Sequence, residues 1–276
     1  MTDGSVAGSL IERLRDARVY DLGMPFSPDM PAAPSQPVTH SMQRLHGDAP
    51  RPGGADSATD ILTMFLHNGT HVDAIGHFSR DGMLHGNRKA SEHQVGGRGL
   101  TSLGVEELEP TICRGVMLDI AAAEGVDRLP REFGVSAQHI EDVSRSQDTP
   151  IDAGDAVLVR TGYITLWDRP GEFMRSGRSL AQPGLTADAG EYLAAKGVCL
   201  VGADTPVVEQ VAAVAEPLMA VHMILLVDHG IPLLEMVNLE PLARERVYEF
   251  AFMMAPLPLV GATASPVRPL ALVERR

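Results

Sequence analysis

The run His67-Asn68-Gly69-Thr70-His71-Val72-Asp73-Ala74-Ile75-Gly76-His77-Phe78 places three imidazoles and a carboxylate within eleven consecutive residues, which limits how this stretch can fold. On a helix turning about 100° per residue, His67 and His71 share a face but Asp73 lies roughly 240° around from His67, so no helix aims all of them at one point. A straight strand fails as well. At roughly 3.3 Å per residue it holds His67 and His71 about 13 Å apart, whereas two ligands of one ion lie only a few ångströms apart. The chain must therefore turn between them, and Asn68-Gly69 readily supplies the positive φ that such a turn needs. Beyond the turn, His71 and Asp73 are two residues apart and point the same way from an extended segment. Imidazole and carboxylate without thiolate suit zinc, manganese or iron(II) in a reactive site better than a structural cysteine site. The alternative is a hydrogen-bonded cluster without an ion.

Around this block the chain mixes strands and helices without a strict βαβ period, so the residues themselves indicate an α/β protein, expected as one domain over residues 1–276. Residues 1–16 read as a short amphipathic helix or loose arm, and Arg18–Leu22 as the first strand. Seven prolines between residues 25 and 58 (Pro25, Pro28, Pro31, Pro34, Pro37, Pro50 and Pro52) exclude a long helix and predict a surface loop or lid. Ile61–Leu66 is a compact apolar run, predicted as a strand that delivers His67 at its end. Residues 79–99 are polar and glycine-rich and read as loop; their His85 and His93 are candidate extra ligands or surface histidines. Gly115–Ile120, Ala156–Arg160 and Val198–Ala203 are buried-strand runs. Val135–Arg145 and Thr186–Lys196 read as helices with Ser136 and Thr186 as N-caps and Gly197 as a stop. Pro217–Asp228 is expected to be helical, and Val247–Ala255 and Val267–Val273 to be closing strands.

Composition narrows the partners. With 23 basic against 36 acidic residues, a net charge of −13, the chain lacks the basic footprint that nucleic acid or an anionic membrane requires. Cys113 and Cys199 are far apart in sequence and form no metal or redox spacing, so a disulfide scaffold is not suggested and a reducing cytoplasm fits. No signal-peptide core and no bilayer-length apolar run is seen, which makes a cytoplasmic protein the expectation. Gly96-Gly97-Arg98-Gly99 lacks the Lys-Ser/Thr of a phosphate loop.

The His67–His77 block resembles the signature of the cyclase family of metal-dependent hydrolases, to which kynurenine formamidase and isatin hydrolase belong. Gly154–Gly162, Pro183-Gly184-Leu185, Val201–Pro206, His222 with Gly230, Glu235–Leu239 and Gly261–Arg268 are similar to further segments of that family, so the resemblance runs from about residue 18 to the C-terminus. It implies a swivelling β/β/α-type fold with a barrel-like central mixed sheet, and a homodimer or homotetramer. It also implies a divalent ion, Zn2+ or Mn2+, one or two per chain. His67, His71 and Asp73 fall on the first metal site, His222 and Glu235 on positions that complete it, and His77 on the proton-transferring histidine. The chain departs from the family at Ile75-Gly76 and at Val207-Val208-Glu209, near where a substrate would sit.

No Gly-x-Ser-x-Gly elbow is present and neither cysteine has a neighbouring histidine, so water is the expected nucleophile. A divalent ion lowers the pKa of a coordinated water from about 15.7 towards about 7 and polarises a carbonyl. An imidazole at His77 can carry the proton from the attacking water to the leaving nitrogen. The expected reaction on a small molecule is hydrolysis of a C–N amide bond, in an aryl formamide such as N-formylkynurenine or a cyclic amide such as isatin. A metal-dependent lactone hydrolase or lyase, or a non-catalytic metal-binding protein, stands as the alternative. Asp204 either orders the site or caps a strand. Arg160 is expected as a structural ion-pair partner, and Trp167 and Tyr163 as packing residues.

Overall fold

The computed structural model describes residues 12, 14–33, 35–174, 181–212 and 219–275. The expected arm over residues 1–16 thus lies outside the described residues apart from 12 and 14–16. The centre is a nine-stranded mixed sheet curled into a half-barrel. Its strands are β1 (Ala17–Asp21), β2 (His71–Asp73), β3 (Thr111–Asp119), β4 (Ala156–Arg160), β5 (Leu200–Ala203), β6 (Leu233–Glu235), β7 (Glu249–Met254), β8 (Ala264–Pro266) and β9 (Leu270–Glu274). Their order is β1-β9-β7-β3-β4-β5-β6-β2-β8. β3 to β6 are mutually parallel, and the strands on either flank are antiparallel. This is the α/β architecture with a barrel-like mixed sheet that the sequence led us to expect.

Hydrophobic pattern explains which strands are central. All five residues of β4 are buried, as an uninterrupted apolar run requires when both faces of a parallel sheet are covered. β7 alternates, with Phe250, Phe252 and Met254 inward, because only one of its faces meets the core. One sheet face packs against helices α1 (Ala137–Ser146) and α2 (Ala187–Lys196) through Val157, Val159, Val201, Ile140 and Leu193. The other face carries Leu158, Leu200, Leu234 and Val72, closed by Leu239, Leu242 and Phe252. Truncating Leu158, fully buried, to alanine is of the kind that costs about 2–5 kcal/mol. Gly202 in β5 is set by packing, since a Cβ there would lie 2.7 Å from Leu158 Cδ2 and 3.0 Å from the Leu234 carbonyl.

The helix boundaries follow their caps. Ser136 accepts from the His139 backbone N–H, and the His139 side chain accepts from the Ser136 N–H, a reciprocal cap worth about 1 kcal/mol. Thr186 stands at the cap of α2 but its hydroxyl donates to Val135 O and Asp188 instead; Gly197, at φ 73°, ends the helix.

Two expectations are corrected and a third is refined. The predicted strand Ile61–Leu66 is instead Thr59–Thr63, which pairs with Thr39–Arg44 in a separate hairpin outside the central sheet, with all five of its residues exposed. The proline-rich stretch is therefore not all loop: residues 39–44, between Pro37 and Pro50, are free of proline and supply the partner strand. The predicted helix Pro217–Asp228 lies partly outside the described residues; the described part is one α-turn, Ala220–His222, that continues as a π-helix over Met223–His229. Among the described residues no helix is long and apolar enough to cross a membrane.

Candidate metal centre and active site

The site forms where β6, β2 and β8 lie side by side. Antiparallel register sets Glu235 opposite His71 and Leu233 opposite Asp73, while Ala264 and Pro266 flank β2 on its other edge. His71 and Asp73 share one face of β2, and Val72 between them enters the core behind. The turn expected at Asn68-Gly69 is present. Gly69 has φ 66°, and a Cβ there would lie 1.9 Å from Phe26 Cε1, so both conformation and packing call for glycine. His67 is thereby folded back so that its Nδ1 stands 2.7 Å from Asp73 Oδ1. A 3-10 turn, Ile75–His77, returns His77 to the same place, its ring centroid 4.1 Å from that of His67. His222 enters from the helical side, with Nε2 3.6 Å from Asp73 Oδ2 and 3.4 Å from Glu235 Oε1. His71 Nε2 lies 3.4 Å from both Asp73 Oδ1 and Glu235 Oε2. All six side chains singled out in the sequence are therefore neighbours. His85 and His93 are not among them: their Nδ1 atoms engage Val227 O and Ser102.

The remaining ring nitrogens determine what the converging ones can do. His71 Nδ1 is held at 2.8 Å by Gly69 O, His67 Nε2 at 3.0 Å by Thr263 Oγ1, and His222 Nδ1 by Glu209 Oε1. With Nδ1 of His71 and of His222 donating to these acceptors, both rings present an Nε2 lone pair inward. Yet His71 Nε2, Asp73 Oδ1 and Asp73 Oδ2 are buried and make no hydrogen bond. The 2.7 Å approach of His67 Nδ1 to Asp73 Oδ1 also lacks hydrogen-bond alignment, as expected of two lone-pair donors directed at a common third atom. Orphaned polar atoms at such depth are costly, and a divalent cation satisfies this set of N and O donors. Two overlapping groups have ligand atoms within 4.8 Å of one another: His67, Asp73 and His77, and His71, Asp73 and Glu235. Asp73 belongs to both.

Charge within the cluster is strongly coupled. Burial lowers the pKa of His71, but the close carboxylates of Asp73 and Glu235, each 3.4 Å from Nε2, outweigh it and raise the ring to about 10. His222 is likewise raised to about 10, by Asp73, Glu209 and Glu235 against its burial. Asp73 is driven well below the ordinary carboxylate value, because His222, His67 and His71 outweigh its desolvation. His77 goes the other way: burial, with the nearby imidazoles, lowers it to about 3 despite the attraction of Asp73. His67 and His77 are part-exposed, whereas His71, Asp73, His222 and Glu235 are buried, so the cluster opens to solvent on the His67–His77 side.

Glu209 is the site residue not singled out in the sequence. Besides gripping His222 Nδ1, it accepts from the backbone N–H groups of Val221 (3.2 Å) and His222 (3.1 Å), which fixes the turn carrying that histidine. The only signal for it was its place in the Val207-Val208-Glu209 departure. Asp204 orders a loop, accepting from Thr161 N (2.9 Å), Thr161 Oγ1 (2.6 Å) and Gly162 N (2.7 Å). Its burial raises it to about 6, against those bonds. Arg160 is a structural partner as expected, bonded to Glu240 and Asp119 at 2.7 Å each. Trp167 and Tyr163 pack in the core beside Phe173 and Met236. Met236, next to Glu235, holds a left-handed φ of 55°, secured by its N–H on Thr205 O and its carbonyl on Thr70 Oγ1. Backbone strain of this kind collects at functional sites.

This fold and buried donor set agree with the comparisons to known proteins. The Cyclase family model ("Putative cyclase") matches residues 20–210, and the chain belongs to that family. Kynurenine formamidase of Bacillus cereus is 27% identical over 244 residues, covering 85% of this chain and 93% of that protein. The crystal structure of a novel cyclase superposes with a TM-score of 0.84 at 26% identity, over 98% of this chain and 91% of the other. Isatin hydrolase A from Ralstonia solanacearum superposes with a TM-score of 0.77 over 99% of each chain at 24% identity, a likeness of fold.

Proposed function

We propose that this chain is a metal-dependent hydrolase that opens a C–N amide bond in a small molecule, an aryl formamide or a cyclic amide. The observation that carries this reading is the trio of buried, unbonded lone-pair atoms, His71 Nε2 and both Asp73 oxygens, inside a ring of oriented imidazoles. His67, His71, Asp73, His222 and Glu235 would hold one or two divalent ions, Zn2+ or Mn2+ by donor type. When bound, such an ion supplies a Lewis acid for the substrate carbonyl and lowers the pKa of an attacking water. The chain's own residues do the rest. Glu209, Gly69 O and Thr263 fix the ring orientations, so the donors are arranged before substrate arrives. His77, kept neutral by its surroundings, can accept a proton from the attacking water at a ring nitrogen. The same ring can return that proton to the leaving nitrogen. The part-exposed His67–His77 side is the side from which substrate would approach.

The names of the relatives favour amides over esters, and the exposed apolar hairpin residues Met42, Ile61 and Leu62 favour a homo-oligomer, which sedimentation would test. The deciding experiment is elemental analysis of protein purified without chelator, followed by assay of the metal-loaded form on N-formylkynurenine, isatin and simple lactones. Turnover of an amide that disappears with metal in His71→Ala supports the proposal. Lactone turnover alone, or tight metal with no turnover, overturns it.

A further inference from the structure

Away from the metal centre, at the N-terminal ends of the parallel strands, the two cysteines meet. β4 begins at Ala156, opposite Gly115 of β3 and Leu200 of β5. Cys113 lies in β3 two residues before Gly115, so β3 reaches past the first residue of β4, while Cys199 immediately precedes β5, which starts level with β4. Beyond that end Cys199 Sγ lies 3.7 Å from Cys113 Sγ, although 86 residues separate them in sequence. The surrounding backbone is fixed: Cys199 N–H donates to Asp155 O at 2.9 Å, Gly154 N–H to Gly197 O at 2.8 Å, and Arg114 binds Asp152 at 2.9 Å. Both sulphurs belong to half-buried residues. Side-chain rotation alone has to close the gap to the roughly 2.05 Å of a disulfide.

We propose that Cys113 and Cys199 form a peroxide-sensitive dithiol site, in which Cys113 attacks the oxidant and Cys199 resolves the product as an intrachain disulfide. The Cys199 S–H donates to Cys113, which lowers the Cys113 pKa; burial opposes this, the Ala156 N–H adds to it, and Asp155 opposes it. Cys199, as the donor, is shifted upward. Cys113 is thus the thiol favoured to ionise, with Cys199 3.7 Å away to meet it. In the first step the Cys113 thiolate attacks one oxygen of hydrogen peroxide. An S–O bond forms, the O–O bond breaks, and the departing hydroxide takes up a proton to become water. In the second step Cys199 attacks the Cys113 sulfenic sulphur; the S–S bond forms and a second water leaves with the Cys199 proton. Two thiols and one peroxide give one disulfide and two waters, each sulphur losing one electron to the peroxide oxygens.

The test is oxidation of the folded full chain with one equivalent of hydrogen peroxide, followed by thiol titration and non-reducing peptide mapping. Expected are a fall from two titratable thiols to none, a mass loss of about 2 Da, and a peptide pair joining Cys113 to Cys199. Closing so long a loop should raise the thermal midpoint by about 5–10 °C. Cys199→Ser should stop at a sulfenic acid on Cys113 that a 1,3-dione traps, and Cys113→Ser should slow peroxide consumption at least about 10-fold. Two thiols surviving in the folded wild type, disulfides only between chains, or sulfenic acid on Cys199 in place of Cys113 would each overturn the proposal.

Discussion

Replacing Glu209 by glutamine tests whether the buried histidines are held as ligands. Glu209 receives three N–H groups, from Val221, from His222 and from the His222 ring, and so sets both the turn and the ring. In Glu209→Gln one oxygen can still accept from the ring, but the second oxygen becomes an NH2 group facing the Val221 N–H, and the negative charge behind the imidazole is lost. A ring whose Nδ1–H no longer meets a carboxylate is a weaker base at Nε2. Loss of such an outer partner costs about 10- to 100-fold in metal affinity, which is about 1.4–2.7 kcal/mol at 1.36 kcal/mol per tenfold. The assay is competition for Zn2+ or Mn2+ against a chromophoric chelator, with kcat/KM measured on the same samples at saturating metal. The expected result is weaker binding with turnover partly restored by excess metal. Wild-type affinity and wild-type turnover in a folded Glu209→Gln protein would refute the reasoning, because His222 would then not depend on its buried partner.

His77→Ala should keep its metal while kcat falls by about 10²–10⁴, since a proton carrier acts on the transition state; metal lost in parallel with rate would make His77 a ligand instead. Glu235→Gln should lower bound metal from two ions towards one per chain if Asp73 and Glu235 together serve a second ion, and should lower only turnover if there is one; stoichiometry by mass spectrometry of the native protein decides, and wild-type values for both would remove Glu235 from the site. Raised to about 10 from the ordinary 6.5, His71 and His222 stabilise the metal-free fold fully below about pH 6.5 and lose that contribution as pH rises towards 10. The thermal midpoint of chelator-treated protein should therefore fall between pH 7 and pH 9.5, and metal loading at pH 7 should release protons in calorimetry across buffers of different ionisation heat; a flat midpoint and no proton release would contradict the coupling.

What could be read in the chain without coordinates was whatever local pattern alone decides. Ala156–Val159 is apolar on both faces and so could be placed as a central strand; Ala187–Lys196 is bracketed by Thr186 and Gly197; and His67, His71 and Asp73 could share an ion only across a turn at Asn68-Gly69. Residues joined by sheet register could not be read in that way. Nothing local says that Glu235 stands opposite His71, that Thr59–Thr63 pairs with Thr39–Arg44, or that Cys113 meets Cys199, because each is fixed by where a distant strand begins and ends. His222 and Glu235 were therefore reached only through resemblance, and Glu209 was missed. Apolar periodicity also misleads at Thr59–Thr63, where Ile61 and Leu62 look like core yet are exposed on the hairpin. The same limit explains why the candidate site comes together only once the sheet is known. Asp73, Glu209 and Glu235 bring three carboxylates into the interior beside His71 and His222, an arrangement that hydrophobic patterning argues against and that persists only if something cationic offsets it. Protons on the two imidazoles can do so in part; a divalent ion does so while also satisfying the unbonded Asp73 oxygens and His71 Nε2, which protons on the rings leave without a hydrogen bond.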